Sequence, residues 1–418
     1  MPDASVKRGN GPESGIHSPR LHVVLYSFLL VATPFIILQN FLQEAIGAAS
    51  AARYELFGVE FPLVPVLAAT GLIIVLLVFL RHLTLVRLVG FAIGLLMIAI
   101  AQHISDFYFD HNFYDLQQNW HYMAYGLFAF FVYRDLNPRG VGFARIILVT
   151  FLAALSFSTF DETIQMFLSN RIFDISDIAK DTWGSLTGLM VLYCWTVRSG
   201  DIAAHWRRLR FKSLSEYFDR PGSLFIILGI FSIIFLSTAS LLTEAEYWLS
   251  IIVITLFGFG FILLLWHLSQ FRVLKIIIPA LVILAMVAQG IAYIAYRDEN
   301  ITHTGYGLTI YRGVPVPFFD IMIFSDGSFR PVDKKHYFNA RDQRFFLRQE
   351  ADIILIGSGA EGKGGQGFPE KDPVQFIFNN YRGRPTQVII LRTPDACREF
   401  NRMKREGKHV LFVLHNTC

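Results

Sequence analysis

Three uninterrupted apolar runs constrain this chain more than any other feature of its sequence. The runs occupy 61–80, 223–243 and 248–266, and none of them contains a charged residue. A helix needs about 20 apolar residues to cross the hydrocarbon core of a bilayer. Only 17% of the 418 residues are charged, whereas about 25% is usual in soluble proteins. The sequence therefore predicts a polytopic α-helical membrane protein.

Weaker apolar segments raise the predicted number of transmembrane helices to about nine. They fall at about 21–43, 84–104, 120–134, 143–167, 178–197 and 274–296. The residues before them, 1–20, are polar and rich in Gly, Pro and Ser, which predicts a disordered tail. The predicted organisation is transmembrane helices at 21–104, a second membrane region at 105–198, a basic loop at 199–220 and transmembrane helices at 221–297.

Arginines in the loops predict the orientation of these helices. The loops on one side hold Arg81, Arg87, Arg134, Arg139 and Arg145 and the basic stretch at 199–220, while the opposite loops are nearly free of Lys and Arg. Positive loops stay in the cytoplasm. The N-terminus is therefore predicted to be cytoplasmic, and nine spans place the C-terminal part outside. The basic stretch is interpreted as a topology signal, in preference to a helix lying on the inner leaflet.

Beyond residue 300 the composition predicts a soluble α/β domain at 301–418. Alternating apolar residues indicate strands, and the pairs Arg312–Gly313 and Asp326–Gly327 indicate turns between them. Further along, the pattern predicts helices at 341–351, 373–383 and 394–407 and strands at 352–359, 387–393 and 408–416. About 118 residues are enough to bury a core.

A dense group of polar residues stands where three predicted helices reach the outer interface. His121 and Tyr125 begin one helix, Asp161, Glu162 and Gln165 end the next, and Asp177 and Asp181 begin the third, with Arg171 in the loop between them. Their spacing of three or four residues puts them on shared helix faces. Ionisable groups at membrane depth are costly and indicate a functional site. The competing interpretation is structural: Asp177 caps its helix, and Asp181 pairs with Arg171.

The same segments resemble the VanZ-like family of bacterial membrane proteins. The resemblance is carried by NWHYMAYG, FDETIQMF and NRIFDISDIAKDTWGSLTGL, over about 105–198. The matched positions are His121, Asp161, Glu162, Gln165, Arg171, Asp177, Asp181 and Gly184. The family's usual Pro-Gly-Arg is replaced here by LSNR. The resemblance implies a cell-envelope role in the bacterial cytoplasmic membrane, with a link to glycopeptide (teicoplanin) resistance, and it implies no particular reaction.

The C-terminal domain contains a glycine pattern that mimics a nucleotide site. Gly357, Gly359 and Gly362 follow a predicted strand as G-x-G-x-x-G, and Lys363 extends this towards a P-loop. Both motifs need a helix to begin at once, but the chain continues KGGQGFPEKDP. The pattern is therefore interpreted as a flexible turn, and neither a cofactor nor a bound metal is expected. Cys397 is predicted to be a packed residue, because no histidine lies near it in sequence.

This domain also resembles a small family that includes mitochondrial complex I assembly factor 3. The resemblance is carried by YGLTIYRGVPVPFFDIMIFSDGSF, DIILIGSG and LRTPDACREFNRMKREGKHVLFVL. The matched positions are Asp320, Gly357, Gly359, Thr393, Ala396, Asn401, Glu406 and Gly407. The resemblance implies a layered α/β fold that recruits a protein partner. Within it, Gly357, Gly359, Thr393 and Asn401 are the candidate loop and cap residues, with Thr393 predicted to cap a helix that starts at Pro394.

Three functions fit these patterns. The first is a non-catalytic envelope protein whose outer carboxylates bind a lipid or cell-wall precursor head group. The second is a membrane enzyme in which His121 acts with Glu162 and Asp181. The third is a membrane-anchored assembly factor that works through the C-terminal domain. Since no strict metal or nucleophile motif is present, binding is favoured over catalysis, and nucleic acid is not an expected partner.

Overall fold

The structure is a computed structural model, and it describes the greater part of the chain. The described residues are 48, 52–56, 59–79, 84–105, 116–167, 173–197, 199–206, 211, 213–243, 245–298, 300–349, 351–368, 375–379 and 385–417. The predicted tail at 1–20, the predicted span at about 21–43 and Arg171 lie outside the described residues.

Helices make up most of the described chain before residue 300. A short antiparallel hairpin, β1 (Arg53–Leu56) and β2 (Val59–Pro62), precedes them. The helices are α1 (Leu63–Phe79), α2 (Leu85–Ser105), α3 (Leu116–Leu136), α4 (Phe143–Gln165), α5 (Ile175–Thr196), α6 (Ser199–His205), α7 (Pro221–Leu241), α8 (Trp248–Leu268) and α9 (Leu274–Ala295).

Five of these helices, α2, α4, α7, α8 and α9, are long and apolar enough to cross a membrane. Helix α1 has 17 residues, slightly short for a full span. Helices α3 and α5 are long enough, but their first halves carry many polar side chains. The membrane class follows from these helices, while the total of nine spans stays a prediction.

Helix α5 is the centre of the bundle and contacts α2, α3, α4 and α7. Small residues let it approach α3 closely. A Cβ atom at Gly184 would lie 2.8 Å from the Tyr122 Cα atom, and one at Gly188 would lie 2.7 Å from the Gly126 Cα atom. Both distances are too short for any side chain. Gly184 and Gly188 therefore allow α3 to pack against α5 at backbone contact.

The C-terminal domain contains two sheets. The larger has the strand order β7 (Phe329–Val332), β6 (Asp320–Ile323), β11 (Val410–Leu414), β8 (Ile353–Gly357), β10 (Pro385–Leu391), β9 (Gln375–Asn379). Strand β8 runs parallel to both β10 and β11, and the other pairs are antiparallel. The smaller sheet is a meander of β3 (Ile301–Gly305), β4 (Leu308–Tyr311) and β5 (Val314–Pro317).

The two faces of the larger sheet are covered by different elements. Helix α11 (Thr393–Arg405) buries Cys397 and Phe400 in one core together with Tyr311 of the small sheet. Helix α10 (Ala340–Arg348) buries Phe346 in the core on the other face. The domain therefore consists of layers of helices and sheets.

One predicted element of this domain is wrong. The segment 373–383 was expected to be helical, but Gln375–Asn379 forms strand β9 and pairs antiparallel with β10. The physical reason is that its aromatic and β-branched residues, Phe376, Ile377 and Phe378, favour an extended backbone when a partner strand is available. The predicted turns at Arg312–Gly313 and Asp326–Gly327 are confirmed, since each glycine has a positive φ.

The C-terminal domain contacts the ends of the membrane helices. The backbone N–H of Lys334 donates to the Leu241 carbonyl at 2.8 Å, and the Thr243 hydroxyl donates to the Lys334 carbonyl at 3.0 Å. Phe318 and Phe319 also pack against the apolar cluster that contains Tyr122 of α3. The domain therefore lies at the same end of the bundle as the start of α3.

Candidate functional site

Three helix ends meet at one end of the bundle, as the sequence predicts. His121 and Tyr125 lie near the start of α3, Asp161, Glu162 and Gln165 lie at the end of α4, and Asp177 and Asp181 lie near the start of α5. Glu162, Gln165, Asp161, Asp181 and Tyr125 are buried. Arg171, the eighth predicted residue, lies outside the described residues. We call the seven described residues the helix-end cluster.

His121 joins two carboxylates of α5. Its Nδ1 atom lies 2.8 Å from Asp181 Oδ1, and its Nε2 atom lies 3.4 Å from Asp177 Oδ1. The His121 side chain is 21% exposed and Asp177 is 26% exposed, whereas Asp181 is 8% exposed. His121 and Asp177 therefore form the edge of the helix-end cluster that solvent reaches.

Asp181 holds the inner part of the cluster together. Its Oδ2 atom accepts a hydrogen bond from the Ser158 hydroxyl at 2.6 Å. Ser158 is absent from the predicted site. It is three residues before Asp161 on the same face of α4, so the helical spacing carried a signal for it.

Lys180 is the second residue at this site, after Ser158, that the sequence analysis did not identify. Its Nζ atom donates to Asp177 Oδ1 at 2.8 Å, and the lysine side chain is 5% exposed. Buried lysines are nearly always paired, and a position three residues after a carboxylate on a helix is a usual place for such a pair. Lys180 offsets part of the negative charge that the carboxylates bring.

Glu162 connects α4 to the start of α5. One of its oxygens accepts a hydrogen bond from Gln165 Nε2 at 2.8 Å, and the other accepts from the Asp174 backbone N–H at 2.9 Å. Gln165 Nε2 also donates to Asp161 Oδ2 at 3.2 Å. Gln165 therefore links Asp161 and Glu162 through hydrogen bonds, as their spacing of four and three residues indicates.

Asp174, and not Asp177, caps helix α5. The Asp174 side chain accepts a hydrogen bond from the Ser176 N–H at 2.7 Å. Burial, followed by the nearby charge of Asp177, raises the pKa of the Asp174 carboxyl. Because Asp174 satisfies the free N–H groups, the carboxylate of Asp177 pairs with Lys180 and His121 instead.

The arrangement is a hydrogen-bonded polar network with one accessible edge. Among the residues that the structure describes, no group of three His, Cys, Asp or Glu side chains is placed to hold a metal ion. The chemistry that the edge offers is a carboxylate acceptor on Asp177 and an imidazole on His121. Such an edge can bind a hydrogen-bond donor or cation, or move a proton.

In the C-terminal domain, the predicted glycines and Thr393 lie together in a packed loop. The Thr393 hydroxyl accepts from the Gly359 N–H at 2.9 Å and donates to the His415 carbonyl at 2.8 Å. A Cβ atom at Gly357 would lie 2.9 Å from the Thr393 hydroxyl oxygen. After this loop the next described element is strand β9, so no described helix begins at the glycines to hold a phosphate.

The prediction that Thr393 caps helix α11 is wrong. The helix begins at Thr393 itself, Arg392 occupies the capping position, and no side chain caps it. The physical reason is that the Thr393 hydroxyl turns towards the sheet, where both of its hydrogen bonds are used. Asn401 is also a structural contact, because it bonds the backbone N–H and carbonyl of Ile301 at 3.0 and 2.7 Å.

Cys397 is packed in the core, as predicted. It is 2% exposed, and burial raises the pKa of its thiol to about 12. A thiol in such surroundings stays protonated and is a poor nucleophile.

A buried ionic group in this domain has no counterpart in the predicted site. His415 Nδ1 lies 2.6 Å from Asp320 Oδ2, and Lys334 Nζ lies 3.3 Å from Asp320 Oδ1, with all three side chains at most 1% exposed. We call these residues the sealed triad. Asp320 stands inside the apolar stretch FFDIMIF, and a lone acid in a buried strand signals a partner.

Comparison with known proteins shows that part of the chain is similar to one family. Residues 25–197 match the family model VanZ/LLP1, a range that contains all of the helix-end cluster and extends beyond the predicted 105–198. A comparison with curated proteins gave no match.

A solved structure titled MT938 is 22% identical to this chain and has a TM-score of 0.23. The likeness covers 28% of this chain and 98% of that one. A TM-score of this size does not establish a shared fold. The predicted likeness of 301–418 to the assembly-factor family stays a prediction. Residues 25–197 are therefore similar to the VanZ/LLP1 family, and the apolar helices indicate a membrane protein.

Proposed function

We propose that the helix-end cluster binds the polar head group of a membrane lipid or of a lipid-linked cell-wall precursor. The observation that carries this proposal is the open edge of an otherwise buried network. His121 and Asp177 are 21% and 26% exposed, while the groups behind them are held by hydrogen bonds. A fixed acceptor at an accessible edge is the arrangement that ligand recognition needs.

The position of the cluster supports a head group as the ligand. Helices α3 and α5 begin there and α4 ends there, so the polar side chains lie at the ends of the bundle helices. Polar head groups lie at this level of a bilayer, and charged residues are tolerated there at lower cost than at the midplane. Transport sites usually lie near the midplane, which disfavours a transporter.

Charge favours one chemical kind of head group. Five carboxylates stand in and beside the cluster, namely Asp161, Glu162, Asp174, Asp177 and Asp181, and Lys180 and His121 are the described basic groups among them. The Asp177 carboxylate at the exposed edge can accept charge-assisted hydrogen bonds from a primary ammonium. We therefore expect a ligand that carries an amine, as aminolipids and peptide-bearing wall precursors do.

The first test compares two zwitterionic lipids in the full chain. Nanodiscs would hold equal amounts of phosphatidylethanolamine, with a primary ammonium, and phosphatidylcholine, which has no N–H donor. Native mass spectrometry would then count the lipids that the released protein retains. We expect the wild type to prefer phosphatidylethanolamine by about tenfold, the effect of one lost charge-assisted hydrogen bond.

The variant Asp177→Asn removes the charge at the edge, and we expect it to reduce this preference to about twofold or less. The matched control is Asp135→Asn, at the far end of α3, where Asp135 pairs with Arg139 at 2.8 Å. This control should keep the wild-type ratio. Equal retention of the two lipids by the wild type would reject an aminolipid as the ligand.

A cellular test addresses the wall-precursor form of the proposal and its link to glycopeptides. Cells that express the wild type should tolerate more teicoplanin than cells that express Asp177→Asn at the same protein level. Cells that express Asp135→Asn should behave as the wild type. Identical susceptibility of all three strains would remove the link to resistance.

Orientation is part of the proposal. We propose that the helix-end cluster faces the outside of the cytoplasmic membrane, because the arginine-rich loops lie at the other end. The C-terminal domain contacts the cluster end of the bundle, so both should lie on one side. Reporter fusions after Ser169 and after Arg297 should both report an external position. A cytoplasmic result at both would reverse the orientation and favour an intracellular partner for the C-terminal domain.

One observation favours a second candidate, a membrane enzyme. Asp181 holds His121 through Nδ1 and leaves Nε2 at the exposed edge, which is how a carboxylate orients a histidine general base. The Ser158 hydroxyl donates to Asp181, so a water or a substrate hydroxyl would be the nucleophile. If the protein is an enzyme, a lipid incubated with it for hours would be converted to a product, and His121→Gln would stop the conversion. A binding protein would return the lipid intact.

A further inference from the structure

A pocket lies at the end of the bundle opposite the helix-end cluster. Its volume is about 270 Å³, and its walls come from the end of α6, the turn before α7, the start of α7 and the end of α8. Helix α7 runs from this pocket to Leu241, which contacts the C-terminal domain at the cluster end. The pocket is therefore separate from the proposed head-group site by the length of a membrane helix.

Tyr217 forms the fixed floor of this pocket. It is fully buried, and its ring stacks on Phe211 with the centroids 4.1 Å apart and contacts Trp266 at 4.9 Å. Its hydroxyl accepts from Gln270 Nε2 at 2.9 Å, and Gln270 Oε1 accepts from the Phe211 N–H at 2.7 Å. Stacking and hydrogen bonds therefore preorganise three aromatic rings around the cavity.

A close backbone contact shapes the opposite wall. A Cβ atom at Gly222 would lie 2.5 Å from the His205 carbonyl oxygen, so only glycine permits α6 and α7 to meet there. The Trp206 ring stacks on the Phe225 ring, with an angle of 5° between the two ring planes. The His205 Nδ1 atom forms a hydrogen bond with the Tyr193 hydroxyl at 2.9 Å. These contacts fix Trp206 beside the cavity.

Arg220 is the permanently charged residue among the described residues that line the pocket. Its guanidinium lies 6.0 Å from the centroid of the Phe211 ring. Within the described part of the chain, no carboxylate pairs with it. The other polar groups that line the cavity are the His205 imidazole and the uncharged side chains of Ser223, Gln270 and Tyr217. A guanidinium without a carboxylate partner suits a planar or tetrahedral anion, which it can hold with two N–H donors.

We propose that this pocket binds the phosphodiester head group of an anionic phospholipid through Arg220. Aromatic rings beside an arginine at the end of a membrane helix are typical of the head-group level of a bilayer. The volume suits a head group better than a whole ligand, since complete ligand pockets usually have about 300–1,000 Å³. Ile226, on the same wall, is 38% exposed and leads from the pocket to the lipid-facing side of α7, where an acyl chain would run.

The test measures lipid retention by the full chain in nanodiscs of phosphatidylglycerol and phosphatidylcholine in equal amounts. We expect the wild type to retain phosphatidylglycerol over phosphatidylcholine by about tenfold. Arg220→Gln should lower this ratio to about twofold or less. Arg220→Lys should fall between them, because it keeps the charge and loses the paired donors.

The matched control is Arg145→Gln, which removes an exposed arginine at the start of α4, at the same end of the bundle and away from the pocket. This control should keep the wild-type ratio. Equal ratios in the wild type, Arg220→Gln and Arg145→Gln would overturn the proposal. Soluble glycerol phosphate distinguishes the two sources of a phosphate: displacement of the lipid at equimolar concentration would overturn the lipid assignment in favour of a free phosphate.

Discussion

Two histidine–carboxylate pairs with nearly the same geometry lie in this chain, in different surroundings. His121 lies 2.8 Å from Asp181 in the membrane part, and His415 lies 2.6 Å from Asp320 in the C-terminal domain. The first pair continues to an edge where Asp177 is 26% exposed. The second is closed by Lys334, with every member at most 1% exposed.

The difference teaches that the contacts of a polar group do not by themselves assign a function to it. The sealed triad lies beside the contact between the domain and α7, where the Lys334 backbone meets Leu241. Its charges cancel one another inside the protein, as structural ion pairs do. The helix-end cluster leaves an acceptor in reach of a ligand, and this is why we propose that it recognises one. Four predictions test the contrast.

The largest effect is expected from the sealed triad. Asp320→Asn leaves Lys334 buried without its counter-charge, which should reduce the local free energy of unfolding by about 3–5 kcal/mol. Hydrogen exchange of the β11 amides in the full chain would measure this loss. The control is Asp395→Asn, an exposed partner of Arg398, which should change the same amides by less than about 1 kcal/mol. A loss of similar size in both variants would contradict a special role for the triad.

The second prediction concerns pH and the residue beside the triad. Burial raises the pKa of Asp333 to about 6, against the opposing charge of Lys335. The ordinary value is about 3.9, so the folded domain binds this proton more tightly than the unfolded chain. Stability from this group is full below about pH 4 and is lost as the pH rises through about 6.

We expect the free energy of unfolding of the domain to fall by about 2 kcal/mol across this range. Hydrogen exchange of β7, corrected for the intrinsic pH dependence of exchange, would measure the fall. Asp333→Asn should flatten the profile between pH 4 and 6. An unchanged slope in this variant would assign the pH dependence to another group.

The third prediction concerns the support of the helix-end cluster. A methyl group at Gly184 would lie 2.8 Å from the Tyr122 backbone, so Gly184→Ala must push α3 and α5 apart. Overpacking of this kind costs about 1–3 kcal/mol, and it should also weaken lipid retention by moving His121 away from Asp181. Thermal unfolding of the purified chain would measure the stability. Gly229→Ala on α7, where nothing lies within 4 Å of the new methyl group, should leave both properties unchanged.

The smallest effect on stability is expected at the open edge. Asp177→Asn should reduce the thermal stability by about 1 kcal/mol, less than Asp320→Asn, because solvent reaches Asp177 even though its partner Lys180 is buried, while lipid preference is lost. This separation of stability from binding is the opposite of the pattern expected for Asp320→Asn. A loss of several kcal/mol in Asp177→Asn would show that the edge is structural, like the sealed triad.

Part of this contrast was predictable from the sequence. Helical spacing placed Asp161, Glu162 and Gln165 on one surface, and the order of three helix ends brought them towards His121 and Asp181. Local periodicity carries such information, because residues three and four apart on a helix must be neighbours.

The rest depends on contacts between distant segments. Asp320 and His415 are 95 residues apart, and sequence periodicity says nothing about which strand lies beside which. Strand β9 was predicted as a helix although its residue types favour an extended backbone, because that preference takes effect only when a partner strand pairs with it. Thr393 has a capping residue type, but its hydroxyl oxygen accepts a hydrogen bond from the Gly359 N–H instead of from the first turn of the helix.

The most direct test of the central contrast is the chemical reactivity of two histidines. Diethylpyrocarbonate modifies accessible imidazoles, and peptide mass spectrometry of the full chain would follow His121 and His415 in one sample. We predict that His121 reacts at least about tenfold faster than His415, in line with exposed fractions of 21% and 1%, and that phosphatidylethanolamine slows the reaction of His121. If His121 is as protected as His415, or if the lipid has no effect on its rate, the open edge does not bind a head group.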